Sequence, residues 1–306
     1  MRVAVVQCGS TLFDTPDTVT RAVDWVRRAA ADGAELVLLP EALIGGYPKG
    51  LSFGVSVGLR TPEGRDEFRR YWESAIDLPG PEAQTFSDLA AELGVTIVLG
   101  AIVRDGRTLY CCSLLFAAAG GPPAVHRKLV PTAAERLIWG SGDGSTLPVL
   151  RVGDVGVGSV ICWENYMPLL RAAMYAKGVD IWCAPTVDDR DAWQPTMRHI
   201  AREGRCFVLS ACQYLERSRL PDDVTPSNGN EPGDVLIAGG SVIVSPLGEV
   251  LAGPLHGGEG ILTADLDLRD LARARMDFDV HGHYARPDVF QLVVDERPKP
   301  SVVNRD

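Results

Sequence analysis

The 306-residue chain has no apolar run approaching the ~18 residues that would read as a membrane span, which excludes a spanning helix. Its opening, Met1 to Cys8, is too short an apolar stretch for a signal-peptide core and lacks a small-residue cleavage site, so a secreted product is not expected. Cationic charge is scarce: 30 Lys and Arg stand against 40 Asp and Glu, a formal net charge of −10. With no basic run anywhere, the electrostatic footprint of a nucleic-acid binder is missing, and anionic membrane surfaces are disfavoured for the same reason. Seven cysteines is an odd number, and the adjacent pair Cys111-Cys112 makes a poor disulfide framework in a chain this long. Free thiols in a reducing cytoplasm are the expectation.

What is present is ordinary globular material, 46% hydrophobic and 23% charged. At this length roughly 75% of the unfolded surface can be buried, so the core needs no staples. Elements alternate. Val3–Val6 reads as a strand; Asp14-Thr15-Pro16-Asp17 is a helix start, with a polar cap, an early proline and an acid on the dipole. Val19, Ala22, Val23, Val26, Ala29 and Ala30 recur at helical spacing until Gly33. Leu36–Leu39 is a short all-apolar run, the pattern of a strand covered on both faces.

Further helices are expected over Gln84–Leu93, Met167–Lys177 and Pro195–Arg205. Strands are expected over Val95–Val103, Leu109–Ala117, Val149–Val152, Val155–Ile161, Val179–Ala184, Cys206–Ala211, Gly239–Val244, Glu249–Ala252 and Gly260–Leu266. Arg217 to Pro232 is rich in Pro, Asp, Asn and Gly and reads as a mobile loop. No internal repeat is found. This layout predicts one α/β domain over residues 1–298 with two sheets' worth of strands, and a short polar tail over residues 299–306.

Gly-rich segments do not make a nucleotide site. Gly156-Val157-Gly158 lacks the third glycine of a dinucleotide fingerprint, and Gly140 to Ser145 has no P-loop lysine. His281-Gly282-His283 lacks the third and fourth ligands a zinc site needs, and reads as a turn. The chemistry points elsewhere. Cys162 ends a strand shortly before a helix, a turn that lifts a nucleophile beside free backbone N–H groups. Glu41 closes the run Leu36–Leu39, at a strand end where α/β ligands bind. Lys128 lies between apolar flanks that desolvate its amine. A Glu–Lys–Cys set would supply a base and a positive charge for thiol chemistry. On residue types alone, pairing the cysteine with His126 or His199 is equally arguable.

Longer blocks decide between them. Leu39-Pro40-Glu41-Ala42 with Gly45-Gly46-Tyr47-Pro48, then His126 to Thr132, then Cys162-Trp163-Glu164-Asn165 resemble the three signature blocks of the nitrilase superfamily. Glu135 to Gly140, Met197 to Arg205 and Gly282 to Asp288 resemble its true nitrilase branch; the amidase and carbamoylase branches usually carry a different sequence after the cysteine. The resemblance runs from Val3 to about Pro298. It implies a four-layer α-β-β-α sandwich, with Cys162 as nucleophile, Glu41 as general base, Lys128 as cationic stabiliser and Glu135 as a supporting glutamate. Tyr47, Thr132, Trp139 and Trp163 are implied to line the substrate pocket, and His126 and His283 to be structural.

The activity so implied is hydrolysis of a small organic nitrile to the carboxylic acid and ammonia, with no metal or organic cofactor. An amidase or carbamoylase on the same scaffold is the alternative, and a non-catalytic assembly protein a minor one. Homodimers or higher homo-oligomers are expected; the stop at Asp306 predicts that no long spiral forms.

Overall fold

Strand residues that alternate between two apolar environments require a layer on each side of the sheet, and this alternation organises the molecule. A computed structural model describes residues 1–300 and Val302. The first half of the chain runs β1 (Arg2–Gln7), α1 (Thr15–Ala31), β2 (Leu36–Leu38), α2 (Pro62–Ser74), β3 (Ile76–Asp77), α3 (Pro81–Leu93), β4 (Thr96–Asp105), β5 (Thr108–Phe116) and β6 (Ala124–Arg127). The second half begins with β7 (Val149–Val152), β8 (Val155–Ser159), α4 (Pro168–Ala176), β9 (Ile181–Thr186), α5 (Trp193–Gly204), β10 (Phe207–Cys212) and β11 (Tyr214–Glu216). It ends with β12 (Val235–Val244), β13 (Val250–His256), β14 (Gly260–Asp265) and α6 (Arg269–Arg275).

One sheet has the order β14-β1-β2-β4-β5-β6, with β3 beside β4; the other has β11-β12-β10-β9-β8-β7, with β13 beside β12. In β1, Ala4 and Val6 pack beneath Ala22, Val26 and Ala29 of α1 and Phe86 and Leu89 of α3. The intervening Val3 and Val5, with Leu36, Leu38 and Val98, meet Val157, Ile181, Cys183, Phe207 and Leu209 of the second sheet. On that sheet's far side Trp182, Ala184 and Val208 pack against Leu170, Met174, Met197 and Ile200 of α4 and α5. The layers are therefore α-β-β-α, as expected. Strand β14 returns antiparallel to β1, with Arg2 opposite Asp265 and Gln7 opposite Gly260, so the two ends of the fold meet in one sheet. No helix among the described residues is long and apolar enough to cross a membrane.

The start of α1 is as expected, while other boundaries differ for local reasons. Asp14 caps α1, its side chain accepting from Asp17 N–H, and such a cap contributes about 1 kcal/mol. Strand β8 stops at Ser159, because the chain breaks toward a 3₁₀ turn over Cys162–Tyr166. Helix α2 has no counterpart in the sequence reading. The segment Arg217 to Pro232, expected as a mobile loop, opens with a 3₁₀ turn and is stapled by Arg217. Only 7% of Arg217 is exposed, and its guanidinium donates to Leu220 O, Val224 O and Asn230 Oδ1. The tail expected at residues 299–306 falls largely outside the described residues; just before it Glu296 pairs with Lys177 at 2.9 Å, and at its first residue Lys299 N–H donates to Asp143 at 2.8 Å.

Candidate active site

Three loops from the two sheets deliver the chemistry. Glu41 follows β2 at a sharp turn, with Ala42 in the left-handed region at φ 49°. The turn lies directly on β4 at Gly100, where a Cβ would sit 2.1 Å from Pro40 O; only glycine permits this approach. From the second sheet, Gln213 Nε2 donates to Glu41 O at 2.7 Å. Lys128 follows β6, its N–H donating to Cys111 O at 2.8 Å. Glu135 lies in a 3₁₀ turn, Ala133–Leu137, and accepts from Thr132 N–H at 2.6 Å.

Cys162 follows β8 with φ 48°. A non-glycine residue in that region costs ~1–3 kcal/mol, a strain the surrounding structure must hold.

The side chains converge. Lys128, fully buried, donates from Nζ to Glu41 Oε1 and to Glu135 Oε2, both at 2.7 Å. Tyr47 OH donates to the other oxygen of Glu135 at 2.9 Å. Thr186 Oγ1 donates to Cys162 Sγ at 3.2 Å. Glu41 Oε2 is buried with no hydrogen-bond partner, leaving one carboxylate oxygen free to take a proton. Burial pushes the Glu41 carboxyl above the ordinary range, against the pull of the Lys128 charge. Burial acts against the Lys128 charge, yet Glu41 and the other acids around it hold the amine well above its usual pKa. Burial and the nearby Glu41 push the Cys162 thiol up, so the resting sulfur is protonated and needs a base. A carboxylate with a raised pKa and a free oxygen is suited to that task.

A cavity of about 180 Å³ opens at Cys162, lined among others by Tyr47, Thr132, Glu135 and Trp163. Trp163 is 42% exposed, donates from Nε1 to Asp188 at 2.8 Å, and carries the Arg190 guanidinium 5.0 Å above its ring. A second cavity, of about 480 Å³, shares Tyr47, Lys49 and Glu135 and runs outward past Leu51, Phe53 and Ile138. Trp139 lies apart from both. It is buried, its ring 5.6 Å from Lys128 Nζ and edge-on to Tyr47, with Nε1 donating to Tyr71 OH at 3.0 Å. His126 is buried against Glu164, and His283 lies at the surface in a turn.

Sequence reasoning missed Thr186, Gln213, Asp188 and Arg190. Thr186, Asp188 and Gln213 lie 24 to 172 residues from the partners they hold, and Arg190 pairs with Asp188 two residues away; all four lie beyond the quoted blocks. Thr186 has a testable role. Hydrogen bonds to charged groups contribute about 1.5–3 kcal/mol, so Thr186→Val, which keeps the shape, is expected to slow thiolate chemistry roughly 10- to 100-fold. Alkylation of Cys162 by iodoacetamide, timed alongside turnover, checks this; wild-type rates in both assays would refute it.

The profile of the carbon–nitrogen hydrolase family matches residues 2–276. An aliphatic nitrilase of Sinorhizobium fredii is 56% identical over 304 residues, 99% of this chain and 98% of that one. Nitrilase blr3397 of Bradyrhizobium diazoefficiens is 56% identical over 98% of this chain and 94% of its own. A bifunctional nitrilase/nitrile hydratase NIT4A of Lupinus angustifolius is 53% identical over 97% of this chain and 87% of its own. Among solved structures, Saccharomyces cerevisiae Nit3, a member of branch 10 of the nitrilase superfamily, superposes with TM-score 0.70 at 22% identity, covering 93% of this chain and 96% of that one. Across that distance the fold is what is shared. The two-sheet sandwich, the profile match and the full-length identities agree: this chain belongs to the carbon–nitrogen hydrolase family, in its nitrilase branch.

Proposed function

We propose that this chain, as a single catalytic domain over residues 1–298, hydrolyses an organic nitrile to the carboxylic acid and ammonia. The observation that carries the reading is the buried thiol of Cys162, set on a left-handed turn in a molecule whose Glu41 keeps one oxygen free beside Lys128. Relatives of more than half identity named as nitrilases supply the substrate class.

In this reading Glu41 takes the thiol proton as Cys162 Sγ attacks the nitrile carbon. Glu41 hands that proton to the nitrile nitrogen, so a neutral thioimidate forms and Glu41 is a carboxylate again. Lys128 Nζ and the Trp163 N–H, in the first turn of a 3₁₀ helix and so lacking an intrahelical acceptor, face the developing negative charge. Removing one such preorganised donor typically costs about 2.7–4 kcal/mol in the barrier. Water deprotonated by Glu41 then adds to the thioimidate and gives a tetrahedral intermediate. If ammonia leaves, a thioester remains, and a second water releases the acid. If the thiolate leaves first, the product is the amide.

The NIT4A relative named both nitrilase and nitrile hydratase supports this second exit as a side reaction. Glu135 and Tyr47, hydrogen-bonded behind Lys128, are placed to influence the choice. Tyr47, Thr132 and Trp163 are assigned to the substrate pocket, and Trp139 to the wall behind Lys128. A homo-oligomer working in the cytoplasm completes the reading; seven free cysteines support a reducing compartment.

The test is a panel of aliphatic, aromatic and arylacetonitriles, with the matching amides, assayed for ammonia, acid and amide. Ammonia from nitriles well above that from amides is expected. Ammonia from amides alone would make the protein an amidase.

A further inference from the structure

The reacting groups come from different sheets: Lys128 leaves β6 in the first, and Cys162 follows β8 in the second. No strand pairing joins those two strands, so hydrogen-bond ladders do not set the separation of amine and thiol. One buried carboxylate bridges it. Glu164, 1% exposed, accepts at Oε1 from the N–H of Leu129, the neighbour of Lys128, at 2.6 Å. At Oε2 it accepts from the N–H of Ile161, the neighbour of Cys162, at 3.0 Å.

The bridge is itself pinned. His126 Nε2 donates to Glu164 Oε2 at 2.9 Å, and His126 Nδ1 donates to Thr146 O at 2.7 Å. A carbonyl can only accept, and a carboxylate already holding two N–H groups accepts as well, so both ring nitrogens carry protons. Burial opposes the imidazolium charge, but the facing Glu164 outweighs it and His126 is raised above its ordinary pKa. On the other side of the turn Asn165 Nδ2 donates to Val160 O and Cys162 O, both at 2.8 Å, while Asn165 Oδ1 accepts from Trp182 Nε1 at 2.7 Å. The strained φ at Cys162 is thus held by Asn165, and its distance from Lys128 by Glu164.

We propose that Glu164 is a positioning residue which, locked by His126, sets the spacing between Lys128 Nζ and Cys162 Sγ and so governs the acid-to-amide outcome. The proposal rests on the nitrile-hydrolysis reading. Its physical content is the bivalence of a carboxylate: both oxygens accept, one for each loop. Glutamine offers one accepting oxygen and turns an NH2 toward the other loop, so one of the two backbone N–H groups loses its partner. A misplacement of about 1 Å at a reacting centre can cost ~10²-fold in rate. Ammonia leaves only after its nitrogen gains a proton, which Glu41, held by Lys128, has taken from the attacking water; with that pair displaced relative to the sulfur the transfer is less frequent, and the thiolate leaves more often.

The test compares wild type, Glu164→Gln and Glu164→Asp for circular dichroism, kcat, KM and the amide fraction of the product. Glu164→Gln is expected to fold, to lose ~10²-fold in kcat with KM changed less than about threefold, and to release a larger share of amide. Glu164→Asp keeps two accepting oxygens on a shorter arm, and is expected to fall between the other two in both kcat and amide share. A folded Glu164→Gln with wild-type kcat and amide share overturns the proposal. Where the glutamine variant does not fold, a wild-type amide share in Glu164→Asp overturns it instead. A wild type that hydrolyses no nitrile defeats the functional reading, an outcome distinct from an active wild type with indifferent variants.

Discussion

Alanine at position 162 is expected to leave a folded protein with no measurable nitrile turnover. The substitution removes one sulfur atom from a buried site, and alanine meets the same strain at φ 48° as cysteine does. Secondary structure by circular dichroism should be unchanged. Turnover should vanish because no other group replaces the sulfur that bonds to the substrate carbon. Cys162→Ser is expected to be nearly inactive too: a hydroxyl is far less acidic than a thiol, and Glu41 is too weak a base for it. Mass spectrometry of rapidly quenched wild type should find substrate mass on the peptide bearing Cys162. Appreciable hydrolysis by Cys162→Ala would remove this thiol from the mechanism.

Lys128→Met is expected to abolish activity and to weaken the fold in a pH-dependent way. Methionine fills much of the lysine volume but leaves Glu41 and Glu135 buried together without their shared cation. Breaking a buried ion pair by removing one partner costs about 3–5 kcal/mol. Burial and the facing like charge, no longer offset by the lysine, raise the Glu41 carboxyl in the folded state further above the ~4.3 of an unfolded glutamate, and proton uptake relieves the repulsion. Between those values the folded state binds more protons than the unfolded one, so stability is fully present at low pH and is lost as pH rises. In the wild type, Glu41 alone slopes the same way, and Lys128, raised above its ordinary pKa, contributes evenly across this range. Thermal melts from pH 5 to pH 8 should show the variant's Tm falling more steeply than the wild type's. Parallel curves would mean that the lysine does not neutralise the two glutamates.

The layers of this molecule were readable because burial writes itself locally. Leu36–Leu39 is apolar without a break because β2 has a layer on each face, and helix α1 shows its stripe and cap in the same stretch that forms it. Helix α2 was invisible for the opposite reason: it buries only Gly64, Tyr71 and Ser74, so no apolar period marks it, although Thr61 caps it and Pro62 starts it. For the site, the strand-to-turn position of Cys162 could be read from element order, whereas the choice of lysine and glutamate over histidine needed the signature blocks. Of the contacts of Glu164, the one to Ile161 is local, three residues back, but the other two could not be read at all. They join residues 35 and 38 positions apart, across two sheets, and chain order says nothing about which backbone N–H a carboxylate will meet.

The pairing of β1 with β14 has a consequence for how the chain is made. Strand β1 is an interior strand of its sheet, but the partner on one side is encoded some 250 residues later. At ~5–20 residues per second, translation exposes the open edge of Val3–Val6 for roughly 12–50 seconds before β14 emerges. An apolar strand with unpaired N–H and C=O groups is a template for other chains during that interval. Nascent protein is therefore a natural client for chaperones that shield apolar segments near the ribosome. Expression yield should respond to their supply, and to translation rate, more than to the stability of the finished enzyme.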